Sequence, residues 1–215
     1  MDLSRVVGHD PVAVTDEKRE AAVLVSVVEP ERSASTAAGE RSDPGAGDPH
    51  LLFIKRADHL GEHAGQMSFP GGGREPSDDD LLATALRECR EEVSMNSEGV
   101  EVVGRLDDIR TVTRYSVRPF VARVPDQEWR GDDREVAEIA LLPVAGLTDL
   151  DNYESERRDH PHYGDIRIHF FRVDGYTVWG ATGRMLAQFL ELATDWEMPA
   201  EPDRVVDPDA DFPVD

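Results

Sequence analysis

The sequence contains a single cysteine, Cys89, and only two of its 23 basic residues are lysines, Lys18 and Lys55. Because one thiol cannot form an internal disulfide bond, we expect a reducing compartment, the cytoplasm. The absence of any run of about 18 apolar residues excludes a transmembrane helix. The first residues lack the charged and then apolar pattern of a signal peptide. Neither a glycine repeat nor a sustained heptad is present, which excludes a collagen and a coiled coil.

Acidic residues dominate the charge of the chain. There are 45 acidic against 23 basic residues in 215, so the net charge is -22 at pH 7. A nucleic-acid partner or an anionic membrane requires a basic surface, and both are therefore excluded. The lysine-poor, acidic composition is typical of proteins from a salt-filled, halophilic cytoplasm. The alternative, an acidic disordered chain, requires fewer hydrophobic residues than the 39% found here.

The net charge predicts that folding requires molar salt, because screening reduces the repulsion between the carboxylates. Circular dichroism across a KCl series is expected to show secondary structure increasing with salt. Full folding in dilute buffer would contradict the halophilic interpretation.

The chain is predicted to form one α/β domain with extensions at both ends. The β-branched run 21–28 predicts a buried strand, and the Ser-, Gly- and Pro-rich segment 30–50 predicts a flexible loop. Further strands are predicted within 51–54, 101–109, 113–124, 137–144 and 166–173. The domain is expected to span residues 20–195, between an N-terminal extension, 1–19, and an acidic disordered tail, 196–215. The oligomeric state stays open, with a homodimer among the alternatives.

Two amphipathic helices are predicted. For the first, Ser77 with Asp80 three residues later resembles a capping box. The second is expected over residues 181–194. At about 100° per residue, the first helix has an apolar side formed by Leu82, Leu86, Cys89 and Val93.

The opposite side of the first helix carries three carboxylates within about one turn, Glu88, Glu91 and Glu92. Like charges this close are destabilising unless a cation neutralises them, and oxygen ligands suit Mg²⁺ or Mn²⁺. Arg87 can pair with Glu91 and hold that carboxylate in place. The alternative is a solvated acidic helix face without any ligand.

A glycine run, 71–73, precedes this helix, and it would let backbone N–H groups of Gly72 and Gly73 approach a phosphate closely. Together these segments resemble the signature of the Nudix hydrolase family, which has a glycine, an acid six residues later and an Arg-Glu-x-x-Glu-Glu core. The resemblance implies an α/β/α sandwich with a mixed central sheet and metal-dependent cleavage of a diphosphate. Three positions depart from the signature: Asp79 replaces Glu, Cys89 replaces an aliphatic residue and Ser94 replaces the last glycine.

Residues 52–57 and 63–72 resemble the coenzyme A diphosphatase branch of this family, as do shorter segments near 118, 135 and 179. The resemblance implies a small-molecule diphosphate substrate, coenzyme A or acyl-CoA, cut to 3′,5′-ADP and 4′-phosphopantetheine. Two departures stand out, Ile54 in place of a threonine and Gly61 in place of an arginine.

Several side chains around the carboxylates are candidates for the chemistry. Glu91 or Glu135 would remove the proton from the attacking water, and Arg87 would position Glu91. Arg56 and Arg74 are the nearest bases by sequence and could bind phosphates, or could equally form surface ion pairs.

Three other interpretations are open at this point. One is a Nudix hydrolase of another nucleoside diphosphate derivative such as ADP-ribose, and another is a non-catalytic nucleotide sensor. The third is a zinc protease, because residues 59–63 match H-x-x-E-H, but Gly61 argues against the regular helix which that motif needs.

Overall fold

The computed structural model describes residues 1–29, 47–59, 64–111, 113–160 and 164–214. Most of the predicted loop 30–50 lies outside these residues. Over the described ranges, no helix is long and apolar enough to cross a bilayer. The helices are α1 Ser4–Val7, α2 Leu81–Val93, α3 Val144–Thr148 and α4 Gly180–Ala193, with a 3₁₀ turn at Leu150–Asn152. The strands are β1 Arg19–Glu29, β2 His50–Arg56, β3 Met67–Ser68, β4 Gly71–Gly73, β5 Glu101–Arg105, β6 Ile109–Arg110, β7 Tyr115–Pro125, β8 Val136–Pro143, β9 Tyr153–His160, β10 Gly164–Val173, β11 Tyr176–Trp179 and β12 Arg204–Val205.

A mixed sheet forms the centre of the domain. Strand β1 pairs in parallel with β7 along its length, and on its other side it pairs antiparallel with β2 and β4. Alternate residues of β1 point to opposite faces. Ala22 and Leu24 pack with the apolar side of α2, whereas Val25 and Val27 share a core with α4. The predicted α/β/α sandwich with a mixed central sheet is therefore confirmed.

The first predicted helix forms, but it starts later and is rotated relative to the prediction. Its N-cap is Asp80, whose side chain accepts a hydrogen bond from the N–H of Ala83 at 2.8 Å; Ser77 lies outside the helix. The residues buried against the sheet include Leu81 and Ala85, while Leu82 is only half-buried. The helical period is confirmed, but Ser77 and Asp80 are both good capping residues, and the structure uses Asp80.

The helix ends at Ser94, where the family resemblance expects glycine. Ser94 adopts the left-handed conformation with φ 54°, and the N–H of Met95 donates to the carbonyl of Cys89 at 3.2 Å. The helix-ending turn therefore forms without glycine, although a non-glycine residue pays about 1–2 kcal/mol for that backbone conformation.

The acidic tail differs from the predicted disorder. A second sheet, in the order β11-β10-β9-β12, includes Arg204–Val205 from the tail. Arg158, buried on β9, donates to the carbonyl of Ala210 at 2.8 Å, and Arg172 donates to that of Pro213 at 2.7 Å. The tail is ordered because these arginines bind its backbone carbonyls, an interaction that its acidic composition does not reveal.

The N-terminal extension also contributes to the core. Leu3 and Val6 are buried, and α1 packs against α4 and β5. Farther along, His9 and Asp107 lie 2.8 Å apart. The first residues of the chain therefore close one end of the sheet.

A buried histidine makes the stability of this fold depend on pH. Burial lowers the pKa of His169 to about 4, and the charges of Arg167 and Arg184 add to this effect. The His169 ring lies 2.8 Å from the hydroxyl of Tyr153. An unfolded chain protonates this histidine below pH about 6.5, whereas the native state does so only near pH 4, so native stability falls as pH drops through this window.

The expected contribution is about 3 kcal/mol of unfolding free energy, lost between pH 6.5 and 4. His169→Gln removes the titrating group and keeps an acceptor for Tyr153. Urea unfolding of the native protein and of His169→Gln at pH 7 and pH 4 gives the loss of unfolding free energy in each. The other titrating groups are the same in both proteins, so the difference between the two losses reports His169. Equal losses in the two proteins would show that His169 is not responsible.

Candidate active site

The site is organised by Arg87, which connects α2 to the loop before it. Its guanidinium donates two hydrogen bonds to Asp78, both at 3.0 Å, and one to the carbonyl of Gly73 at 3.1 Å. On the helix it donates to Glu88 at 3.0 Å and to Glu91 at 3.1 Å. The predicted pairing with Glu91 is present, and four further bonds fix the guanidinium between helix and loop.

The acid opposite Arg87 is Asp78, not the signature-aligned Asp79. The bonds from Arg87 hold the pKa of Asp78 well below its usual range, and the N–H of Glu75 and the hydroxyl of Thr84 also donate to this carboxylate, each at 2.9 Å. Asp79 contributes only its carbonyl, which accepts from Arg74. Three aspartates stand in a row here, and the loop turns Asp78 rather than Asp79 towards Arg87.

Glu92 is a buried carboxylate, 3% exposed. Its Oε2 accepts a hydrogen bond from the N–H of Gly71 at 2.8 Å. Burial raises its pKa to about 8; the carboxylates of Glu88 and Glu135 act in the same direction, against the hydrogen bond and the charge of Arg56. Burial also raises the pKa of Glu88. Burial therefore disfavours the charged form of both Glu88 and Glu92, although Arg87 partly offsets this for Glu88.

Two glycines allow the loop to approach these carboxylates. A Cβ at position 71 would lie 2.3 Å from the carbonyl oxygen of Ala22, and Gly71 has φ +155°. A Cβ at position 72 would lie 2.4 Å from Oε1 of Glu88. Any side chain at Gly72 would therefore displace the carboxylate, so the glycine run is a steric requirement of this site.

In the described part of the chain, no three acidic, histidine or cysteine side chains already have the arrangement of a metal site. Arg87 holds Glu88 and Glu91, and Glu92 points to the backbone of Gly71. The donor chemistry nevertheless fits a hard divalent cation, because carboxylate oxygens are hard ligands and burial raises the pKa of both Glu88 and Glu92.

Arg56 and Glu135 come to the same place from other elements. Arg56, at the end of β2, lies close enough to Glu92 to lower its pKa. Its buried Nε has no hydrogen-bond partner among the described residues. Glu135 lies near Glu88 and Glu92, and raises the pKa of both. The fold therefore brings both candidates to the carboxylates of α2.

Arg74 lies elsewhere. It donates to Glu20 at 3.1 Å, an exposed ion pair, and to the carbonyl of Asp79 at 3.3 Å. This matches the alternative of a surface ion pair. Gly73 connects the two regions, since its carbonyl accepts from Arg87.

The remaining candidate residues from the sequence either have structural roles or lie outside the residues that the structure describes. Cys89 is fully buried and burial raises the pKa of its thiol, so it is a packing residue. Trp179 stacks on Phe170 at the start of α4. Gly61 and His63, and with them most of the H-x-x-E-H match, lie outside the described residues.

Comparisons with known proteins identify a family for this chain. A family model described as NUDIX domain matches residues 32–162. The chain is 36% identical over 178 residues to a protein of Salmonella paratyphi B named "Uncharacterized Nudix hydrolase NudL", an alignment covering 81% of this chain and 82% of that one.

Solved structures with low sequence identity are also similar to this chain. One is a Nudix hydrolase from M. smegmatis, RenU, with 16% identity and a TM-score of 0.46 over 66% of this chain and 84% of that one. Another is the NUDIX domain of Shewanella oneidensis NrtR complexed with ADP ribose, with 16% identity and a TM-score of 0.44 over 67% and 84%. From the matched family model and the extent of the sequence identity to NudL, we conclude that this chain belongs to the Nudix hydrolase family.

Proposed function

We propose that this hydrolase cleaves the diphosphate of coenzyme A or acyl-CoA, releasing 3′,5′-ADP and 4′-phosphopantetheine or its acyl form. The observation that carries the proposal is the position of Arg56. The two segments that resemble the coenzyme A branch, 52–57 and 63–72, both reach Glu92, through the side chain of Arg56 and the N–H of Gly71. This proximity to Glu92 supports a shared site for the branch-like segments and the acidic helix.

One departure from the branch pattern has a structural explanation. Ile54 is completely buried within β2 and packs with Leu52, Ala22 and Leu24 in the core beneath α2. A side chain in that position contacts no substrate, so replacing threonine by isoleucine changes the core and leaves substrate binding unaffected.

Glu88, Glu91 and Glu92 are the residues that would hold Mg²⁺ or Mn²⁺. A bound divalent cation supplies charge neutralisation at the diphosphate and lowers the pKa of the attacking water. Arg87 keeps Glu88 and Glu91 oriented through its bonds to Asp78. Arg56, with a buried Nε that lacks a partner among the described residues, is placed to donate to a phosphate oxygen.

Glu135 is our preferred general base. Its carboxylate lies near Glu88 and Glu92, and it forms no ion pair with the described residues, whereas Glu91 is held by Arg87. Glu135 accepts a proton from water as the water oxygen bonds to phosphorus, and the opposite P–O bond of the diphosphate breaks to leave the second phosphate. Comparing Glu135→Gln with Glu91→Gln separates the two candidates: Glu135→Gln should lower kcat and leave the metal concentration for half-maximal rate unchanged, whereas Glu91→Gln should raise that concentration.

Mass spectrometry of the products tests the proposed function. The purified protein is incubated with Mg²⁺ or Mn²⁺ in high KCl with coenzyme A, ADP-ribose or NADH in parallel. We expect 3′,5′-ADP and 4′-phosphopantetheine from coenzyme A, at a rate unaffected by Glu128→Gln, a substitution of an exposed surface acid. Selective cleavage of another compound would retain the Nudix chemistry and overturn the assigned substrate.

A further inference from the structure

A surface groove of about 410 Å³ adjoins the candidate site, because Gly73 and Asp78 both line it and bind Arg87. The basic side chains of Lys18, Arg19 and Arg74 line it, together with Gly73 and the ring of Tyr115. The lining also contains three acids, Glu20, Glu75 and Asp78, so the balance of charge depends on which of these groups are paired.

The charge balance within the groove leaves positive charge available. Glu20 is paired with Arg74 at 3.1 Å, and Asp78 is paired with Arg87. Lys18 is exposed and forms no ion pair with the part of the chain that the structure describes. Glu75 is the remaining acid of the lining, against the two cations Lys18 and Arg19.

The position of Arg19 is fixed by an aromatic ring. Its guanidinium carbon lies 3.9 Å from the centroid of Tyr115, and it also donates to the hydroxyl of that residue. A guanidinium stacked in this way retains donors for a phosphate, and it presents a flat surface to a neighbouring ring.

Gly73 joins the groove to the carboxylates. Its carbonyl accepts a hydrogen bond from Arg87, while a Cβ at its position would contact the Tyr115 ring at 3.8 Å. Gly72, the residue before Gly73 on β4, lies against the carboxylate of Glu88. Asp78 and Gly73 of the groove lining both accept hydrogen bonds from Arg87, which also bonds Glu88, so the groove adjoins the carboxylate region.

We propose that this groove binds a phosphate monoester carried by the same molecule as the diphosphate. Lys18 and Arg19 provide the positive charge, and Tyr115 holds Arg19 in place. This inference rests on the proposed function, in which the second group is the 3′-phosphate of coenzyme A. The groove would thus distinguish nucleotides with an additional phosphate from those without one.

The test compares coenzyme A with dephospho-coenzyme A, which differs only in lacking the 3′-phosphate. At fixed salt, we expect kcat/KM of the native protein to favour coenzyme A by about tenfold or more, as for one charge-assisted contact. Lys18→Gln and Arg19→Gln should bring this ratio towards one. Arg157→Gln, an exposed arginine of β9 paired with Asp165, is the matched control and should retain the native ratio.

The outcomes separate the groove from the substrate assignment. If coenzyme A is cleaved but the ratio is near one, or is unchanged in both groove variants, the groove inference is wrong and the proposed function stands. If neither compound is cleaved, the proposed function fails, and calorimetry with 3′,5′-ADP and AMP then decides the groove. Tighter binding of 3′,5′-ADP than of AMP, lost in Lys18→Gln, supports the groove inference. Equal affinities of the native protein for 3′,5′-ADP and AMP overturn it.

Discussion

Glu92→Gln is expected to abolish hydrolysis and, without metal, to stabilise the protein above pH 7. Glu92 is 3% exposed, and burial raises its pKa to about 8. In the unfolded chain this carboxyl ionises near pH 4.5, so native stability falls as pH rises from about 4.5 to 8, by up to about 5 kcal/mol. The neutral amide removes that cost, and it also removes a charged cation ligand, for which we expect a loss in kcat of about a thousandfold.

Two measurements check this prediction. Urea unfolding with EDTA at pH 5 and pH 8.5 should show a fall in stability for the native protein and nearly none for the variant. Hydrolysis with Mg²⁺ or Mn²⁺ should be lost in Glu92→Gln and retained in Glu128→Gln, the exposed control. A variant that is less stable than the native protein at pH 8.5 would contradict the argument that burial of the charge is costly.

Asp78→Asn is expected to reduce kcat/KM by about a hundredfold, whereas Asp79→Asn should change it by less than about threefold. Asp78 accepts two hydrogen bonds from Arg87, which in turn orients Glu88 and Glu91. An asparagine would place an N–H₂ group against the guanidinium donors and lose the bidentate pair. Asp79 contributes only its backbone carbonyl to this region, so its side chain has no comparable role.

The metal dependence of the rate distinguishes a role of Asp78 in positioning Arg87 from general structural damage. Asp78→Asn should lower kcat and weaken the dependence of rate on metal concentration, because Glu88 and Glu91 lose their support. Asp78→Glu, which retains the carboxylate, should recover part of the rate. If Asp79→Asn proves the damaging substitution, the spacing of the family signature is the better guide and the observed Arg87–Asp78 pair does not form in solution.

The sequence alone determined the features that depend on local pattern. The β-branched run before residue 29 predicted β1, the apolar period predicted α2 to within a few residues, and the spacing of the acids predicted neighbouring carboxylates, of which Arg87 joins Glu88 and Glu91. The family also followed from the sequence, because the glycine run and the acidic core are adjacent along the chain.

Only the tertiary structure decided which distant groups meet. Arg56 and Glu135 reach Glu92 because β2 and β8 pair, and the choice of Asp78 over Asp79 depends on where the loop turns towards Arg87. The tail is ordered because Arg158 and other arginines far away in sequence bind its carbonyls. Periodicity and spacing describe neighbours along the chain, whereas burial and hydrogen bonding between elements depend on how the sheet aligns them, and this alignment sets the charge of the site.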